Sequence, residues 1–385
     1  MLFAVACGST EGPAEPLSRT SSPIIAGKAS DAAQDAVVRL DRYVGGGIQS
    51  CTGTLLAANV VLTARHCVSD TSGDGFACDM AGKGSAGGTI TKDFPANEML
   101  VFTGPKRIEG ASKAAARGSK IITDDAKNLC NHDLALIVLD RRIEGVPIAP
   151  VRLDKPPEKG ATFTAVGWGV TKATPVPDVR QTRAGVKIAT VGPAKAVAGL
   201  EVPDGEFQTG EVICEGDSGG PALDSTTGAV IGVVSRGGNG EAPDPANPSY
   251  SCLSAINFYA HTTAHKDLIQ RAFTEAESEV WVEGGPDPRL AKAQDSCESD
   301  AACRSNLCAS NGKCADDCSA SACAAGFECK ADGARKACMP VASSSGGGGG
   351  GGGGGCATGG GGHGGFAAAV VGVLALAGAL RRRRA

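Results

Sequence analysis

Gly216-Asp217-Ser218-Gly219-Gly220-Pro221 sets one serine inside a glycine-rich turn. Glycines there leave the backbone amides free to face a substrate, which makes Ser218 a candidate nucleophile. A hydroxyl is a weak nucleophile until a histidine takes its proton and an acid orients that histidine, so two partners are required elsewhere in the chain. Thr63-Ala64-Arg65-His66-Cys67 follows the apolar run Val60-Val61-Leu62, and Asp133-Leu134-Ala135-Leu136 opens a second apolar run. The chain order is therefore His66, Asp133, Ser218.

Four further motifs keep that order. Ile24-Ile25-Ala26-Gly27 stands near the start, Cys51-Thr52-Gly53-Thr54-Leu55-Leu56 precedes the histidine, and Val166-Gly167-Trp168-Gly169 lies between the acid and the serine. Val233-Val234-Ser235-Arg236-Gly237-Gly238 follows the serine. On these residues the sequence resembles the trypsin-like serine proteases of the chymotrypsin fold, and the resemblance covers about residues 24 to 280. It implies an all-β body of two six-stranded antiparallel Greek-key β-barrels closed by a C-terminal helix. His66 would then be the general base and acid, with Asp133 holding its tautomer. The amides of Gly216 and Ser218 would form the oxyanion hole, and Asp217 would pair with the α-ammonium of Ile24 once the segment before it is cut.

The resemblance also locates the substrate. Ser235 and Gly237 would hydrogen-bond an extended peptide as an added strand. Val212, six residues before the nucleophile, would form the floor of the primary specificity pocket, with Ile213 beside it and Ala255 as the wall opposite Gly237. A cationic side chain would find no carboxylate there, so cleavage is expected after uncharged apolar residues of small to medium size. Two positions depart from the family pattern. Pro23 stands where a trypsin-like activator needs Arg or Lys, and Arg236 stands where an aromatic residue usually flanks the substrate.

Sixteen cysteines and a formal net charge of −4 bound the rest. The cysteines imply an oxidising compartment, and the charge gives no sign of nucleic acid as a partner. By the resemblance Cys51 pairs with Cys67 and Cys214 with Cys252, while Cys78 and Cys130 make a third pair. Eight more, from Cys297 to Cys338, form a disulfide module in two related halves of open connectivity. Zinc is disfavoured there because the window holds no histidine and no CxxC spacing. The module reads equally as a binding element or a spacer.

The organisation expected is a truncated signal and prosegment over 1–23, the protease domain over 24–283, a linker over 284–296, the module over 297–340, a glycine tether over 341–365 and an apolar segment with an arginine cluster over 366–385. Cys7 follows Ala4-Val5-Ala6 in a weak lipobox pattern. Cys356, the apolar run Phe366 to Leu380 and Arg381 to Arg384 resemble the C-terminal sorting signals of myxobacterial surface proteins. Fifteen apolar residues span about 22 Å as a helix, short of a bilayer core, which suits a transient sorting helix better than a tail anchor. The function expected is a secreted, surface-attached serine endopeptidase, a monomer, acting on proteins or peptides without a cofactor or metal and handled by sorting and processing machinery at the membrane. The rivals are an inactive protease-fold adhesin and an esterase.

Overall fold

The structure is a computed structural model that describes residues 24–341, apart from 74, 171–176, 197–198, 243, 245 and 248. The expectations placed on Cys7, Pro23, Cys356 and residues 366–385 lie outside the described residues. No helix among the described residues is long and apolar enough to cross a membrane.

Two β bodies follow one another along the chain. The first is a closed six-stranded barrel of β1 (Val37–Val44), β2 (Gly47–Ala57), β3 (Val60–Thr63), β4 (Leu100–Phe102), β5 (Ala116–Ile122) and β6 (Ala135–Leu139), ordered β5-β6-β3-β2-β1-β4. The second uses β7 (Thr162–Gly167), β8 (Gln181–Lys187), β9 (Glu206–Thr209), β10 (Pro221–Asp224), β11 (Val230–Gly238) and β12 (Ile256–His261). These lie in the order β8-β7-β10-β11-β12-β9, with Lys28–Ala29 added beside β8 and Thr190–Val191 beside β9. The second body is thus recorded as an eight-stranded sheet where the resemblance implies a closed six-stranded barrel. Its two ends are joined by one segment, which pairs with β7 as far as Lys187 and, after a break in the ladder, with β9 from Thr190 onward.

Apolar residues on both faces explain why the strands read as unbroken hydrophobic runs. Val61 and Ile137 point into the barrel with Val38, Leu40 and Leu55. Their neighbours Val60, Leu62, Leu136 and Val138 face outward, where they pack with Val230 and Val233 of the second body. The same layer receives Leu268, Ile269, Ala272 and Phe273 of the helix α1 (Lys266–Glu275). The spacing i, i+1, i+4, i+5 puts those four on one stripe, and a short 3-10 turn at Thr262–His265 precedes the helix. A third cluster fills the second body with Ile24, Phe163, Phe207, Val212 and Tyr259.

The cysteine-rich region pairs Cys297 with Cys308, Cys303 with Cys314, Cys318 with Cys329 and Cys323 with Cys338. Each half therefore links its first cysteine to its third and its second to its fourth. Its small apolar cluster holds Leu307, Ala309, Ala315 and Ala337, too little to hold a shape unaided, so the cross-links carry the stability. Arg304 anchors the region to the body, its Nη1 lying 2.6 Å from Glu279 Oε1 and its Nε donating to the Leu290 carbonyl.

Candidate active site

His66 sits in a 3-10 turn, Arg65–Cys67, directly after β3, and Asp133 lies two residues before β6. Because β3 and β6 are paired neighbours, the barrel brings the two loops together. His66 Nδ1 lies 2.9 Å from Asp133 Oδ2, and the His66 amide donates to Asp133 Oδ1 at 3.0 Å. The Ser235 hydroxyl donates to Asp133 Oδ2 at 2.7 Å. The side chain of Ser235, a residue assigned by resemblance to the substrate strand, is thus buried against the acid.

Those contacts set the protonation states. Burial alone would push the Asp133 carboxyl up, but the His66 ring, the His66 amide and the Ser235 hydroxyl outweigh it and hold the group below the usual carboxylate range. Burial works against a charged His66 ring, and the Asp133 carboxylate more than reverses this, raising the imidazole above its ordinary value.

The serine comes from the second body, in the turn just before β10. Thr52 of β2 reaches across to hold that turn: its amide donates to the Ser218 carbonyl at 2.8 Å and its hydroxyl to the Gly216 carbonyl at 2.9 Å. Gly216 has φ +93, and a Cβ there would lie 3.0 Å from the Gly169 Cα, so only glycine turns the chain at this point. Among the described residues neither the Gly216 nor the Ser218 amide donates to another protein group. Ser218 and His66 line one cleft of about 670 Å³. No hydrogen bond joins the Ser218 hydroxyl to His66 among the described residues, and such contacts commonly tighten only on substrate binding.

Asp217 is sealed behind this turn. Its carboxylate accepts from the amides of Gly169 at 2.7 Å and Cys214 at 2.9 Å, and from the Ile24 backbone nitrogen. Ile24 itself is fully buried in the second body. Burial is the largest influence on Asp217 and pushes it up to about 7 against those three amides. The pair expected at Ile24 and Asp217 is thus in contact through a backbone nitrogen that would become the charged terminus on cleavage.

Two residues expected at the specificity pocket, Val212 and Ala255, do not line the cleft. Val212 is fully buried, its carbonyl accepting from the Ile25 amide, and it packs with Ile24 in the core; Ile213 lines the cleft and Val212 does not. Ala255 is also buried away from the cleft, because the β11–β12 register sets Asn257 opposite Gly237. Asn257 Nδ2 donates to the Gly210 carbonyl at 2.7 Å, and a Cβ on Gly237 would come 2.0 Å from Asn257 Oδ1. The carboxamide therefore lies directly against Gly237, where it lines the cleft.

Arg236 lines the cleft, but its cation is paired. Its guanidinium lies between the rings of Phe258, 4.3 Å away, and Phe76, 4.8 Å away, and its Nη2 is 2.6 Å from the buried Glu206 carboxylate. Phe76 borders both the cleft and a neighbouring hollow of about 470 Å³. The structure joins Cys51 to Cys67, Cys78 to Cys130 and Cys214 to Cys252. Nothing local in the sequence assigns a role to Thr52, Asn257 or Phe76. Only Thr52 had a signal, its place in a quoted motif.

Trypsin eta of Drosophila erecta is 26% identical to this chain over 243 residues, which are 57% of this chain and 77% of that protein. Snake venom serine protease Haly-2 of Gloydius brevicauda is 31% identical over 201 residues, 49% of this chain and 68% of that protein. A solved structure of the scabies mite inactivated protease paralogue S-I1 aligns with a TM-score of 0.45 at 16% identity, over 65% of this chain and 99% of that one. The family model for Trypsin matches residues 24–256, from the buried Ile24 to the first residue of β12. That match takes in more than half of the 385 residues, and the chain belongs to the trypsin family.

Proposed function

We propose that the protein is a serine endopeptidase that cleaves after small or medium uncharged residues through an acyl-enzyme on Ser218. The observation that carries the reading is the His66–Asp133 pair, hydrogen-bonded at 2.9 Å and opening on the same cleft as Ser218. His66 takes the Ser218 proton as the hydroxyl attacks the peptide carbonyl, and Asp133 stabilises the imidazolium that results. The Gly216 and Ser218 amides receive the negative charge on the carbonyl oxygen. His66 then protonates the leaving amine and activates water to free the acyl group.

Ile213 and Asn257, which both line the cleft, support uncharged side chains of small or medium size at the residue before the cut. The Asp217 carboxyl, met only by amides, supports activation by cleavage before Ile24, since an α-ammonium there would supply the missing countercharge. Secretion and attachment at the cell surface, with processing by membrane machinery near Cys356, remain part of the proposal on the strength of the cysteine pairing and the C-terminal residue pattern. A peptide library tests the specificity directly. Cleavage after Ala, Ser or Val is expected; cleavage dominated by Arg or Lys would overturn the pocket assignment.

A further inference from the structure

The residues that flank the catalytic pair meet at one carboxylate outside it. Arg65 immediately precedes His66, and its side chain is 5% exposed. Its Nη1 donates to the Asp124 carbonyl at 2.8 Å and to Asp124 Oδ1 at 3.2 Å. His132 immediately precedes Asp133, and its Nδ1 lies 2.6 Å from the other oxygen, Asp124 Oδ2. A single side chain, two residues beyond β5, thus links the turn that carries the base to the loop that carries the acid.

The rest of the cluster explains why so many charges are kept in one place. A buried guanidinium is costly without counter-charges, and Arg65 has two, because its Nη2 also donates to Asp93 Oδ1 at 3.0 Å. Ser69 accepts from Arg65 Nε at 3.0 Å and donates to Asp93 Oδ1 at 2.6 Å, closing the network on the far side of the turn. Burial pushes the Asp124 carboxyl up, but its bond to His132 and the nearby charges of His132 and Arg65 outweigh this and keep it below the ordinary range. His265 faces the cluster from the turn before α1, with its own pKa driven down to about 4 by burial, so at neutral pH it adds no charge. An apolar residue at position 65 would pack there without any of this apparatus.

We propose that Asp124 is a positioning residue that fixes the spacing of His66 and Asp133 by holding Arg65 with one oxygen and His132 with the other. Base and acid sit on different loops of the barrel, and their 2.9 Å contact is only as exact as the loops are. Small misplacements of a catalytic pair are expensive in rate, so a clamp between the loops acts on the chemical step and leaves substrate binding alone. The proposal rests on the protease reading for its kinetic consequence and on geometry alone for its structural one.

The test is Asp124→Asn in the full chain, followed by kinetics and by NMR. Turnover of a peptide ester should show kcat lowered about tenfold with KM unchanged, since no group touching substrate is altered. The NMR resonance of the His66 Nδ1 proton shared with Asp133 should shift upfield and broaden, and Asp124→Glu should recover part of both effects. Unchanged kcat together with an unmoved resonance would overturn the proposal. If the Asn variant does not accumulate folded, His132→Ala cuts the bridge at a 41% exposed ring and must move the same resonance; an unmoved signal there also overturns it. Absence of turnover in the parent chain would remove the protease reading, and the resonance alone would then decide for or against the clamp.

Discussion

Asp133 in the first body and Asp217 in the second are both fully buried, and their carboxyls are driven in opposite directions. Asp133 meets an imidazole, an amide and a hydroxyl and is held ionised; Asp217 meets only amides and is pushed up to about 7. Burial is therefore not what decides the state of a carboxyl. The partner decides it. The barrel holds His66 and Asp133 as a hydrogen-bonded pair, whereas the second body holds Ser218 in a turn whose buried neighbour Asp217 is met only by amides.

That contrast can be broken at several points. Ser218→Ala or His66→Ala should cost about a millionfold in kcat, because the residues of such a unit act together. Asp133→Asn should cost about ten-thousandfold while leaving the fold intact, since the amide would favour the wrong tautomer of His66. In chain cleaved before Ile24, Asp217→Asn should lower kcat/KM about a hundredfold through a disordered oxyanion turn. Steady-state kinetics on folded variants check all three.

The uncleaved chain sharpens the comparison. Asp217 has a folded-state value raised above the unfolded 3.8, so its stabilising contribution is complete below that pH and is lost as the pH rises through about 7. Thermal melts of uncleaved protein should therefore show Asp217→Asn more stable than the parent at pH 8 and no more stable at pH 4. At the small end, replacing Cys323 and Cys338 by serine should leave kcat/KM within about twofold of the parent, because this cross-link lies in a region with its own small cluster.

What the sequence made legible were features carried by short local patterns. His66, Asp133 and Ser218 each stand in a motif, β6 and the first half of β11, Val230 to Val234, lie in apolar runs, and α1 shows an apolar stripe at Leu268, Ile269 and Phe273. The missing features depend on register and on side-chain reach. Ala255 and Asn257 differ by two positions, and only the pairing of Gly237 with Asn257 settles which of them lines the cleft. Arg236 reads in sequence as a disturbance of the substrate wall, because nothing local says that Phe76, 160 positions earlier in the chain, lies over its guanidinium. The second body's strand order is hidden for a similar reason, as the switch at Lys187 leaves no mark in composition.

The central claim is that an imidazole activates one hydroxyl across the boundary between the two bodies. Labelling the processed protein with a fluorophosphonate and mapping the adduct by mass spectrometry addresses it directly. The account predicts a single adduct on Ser218 that forms at least about a hundredfold more slowly in His66→Ala. Folded, processed protein that takes no adduct, or that labels equally fast without His66, would contradict it.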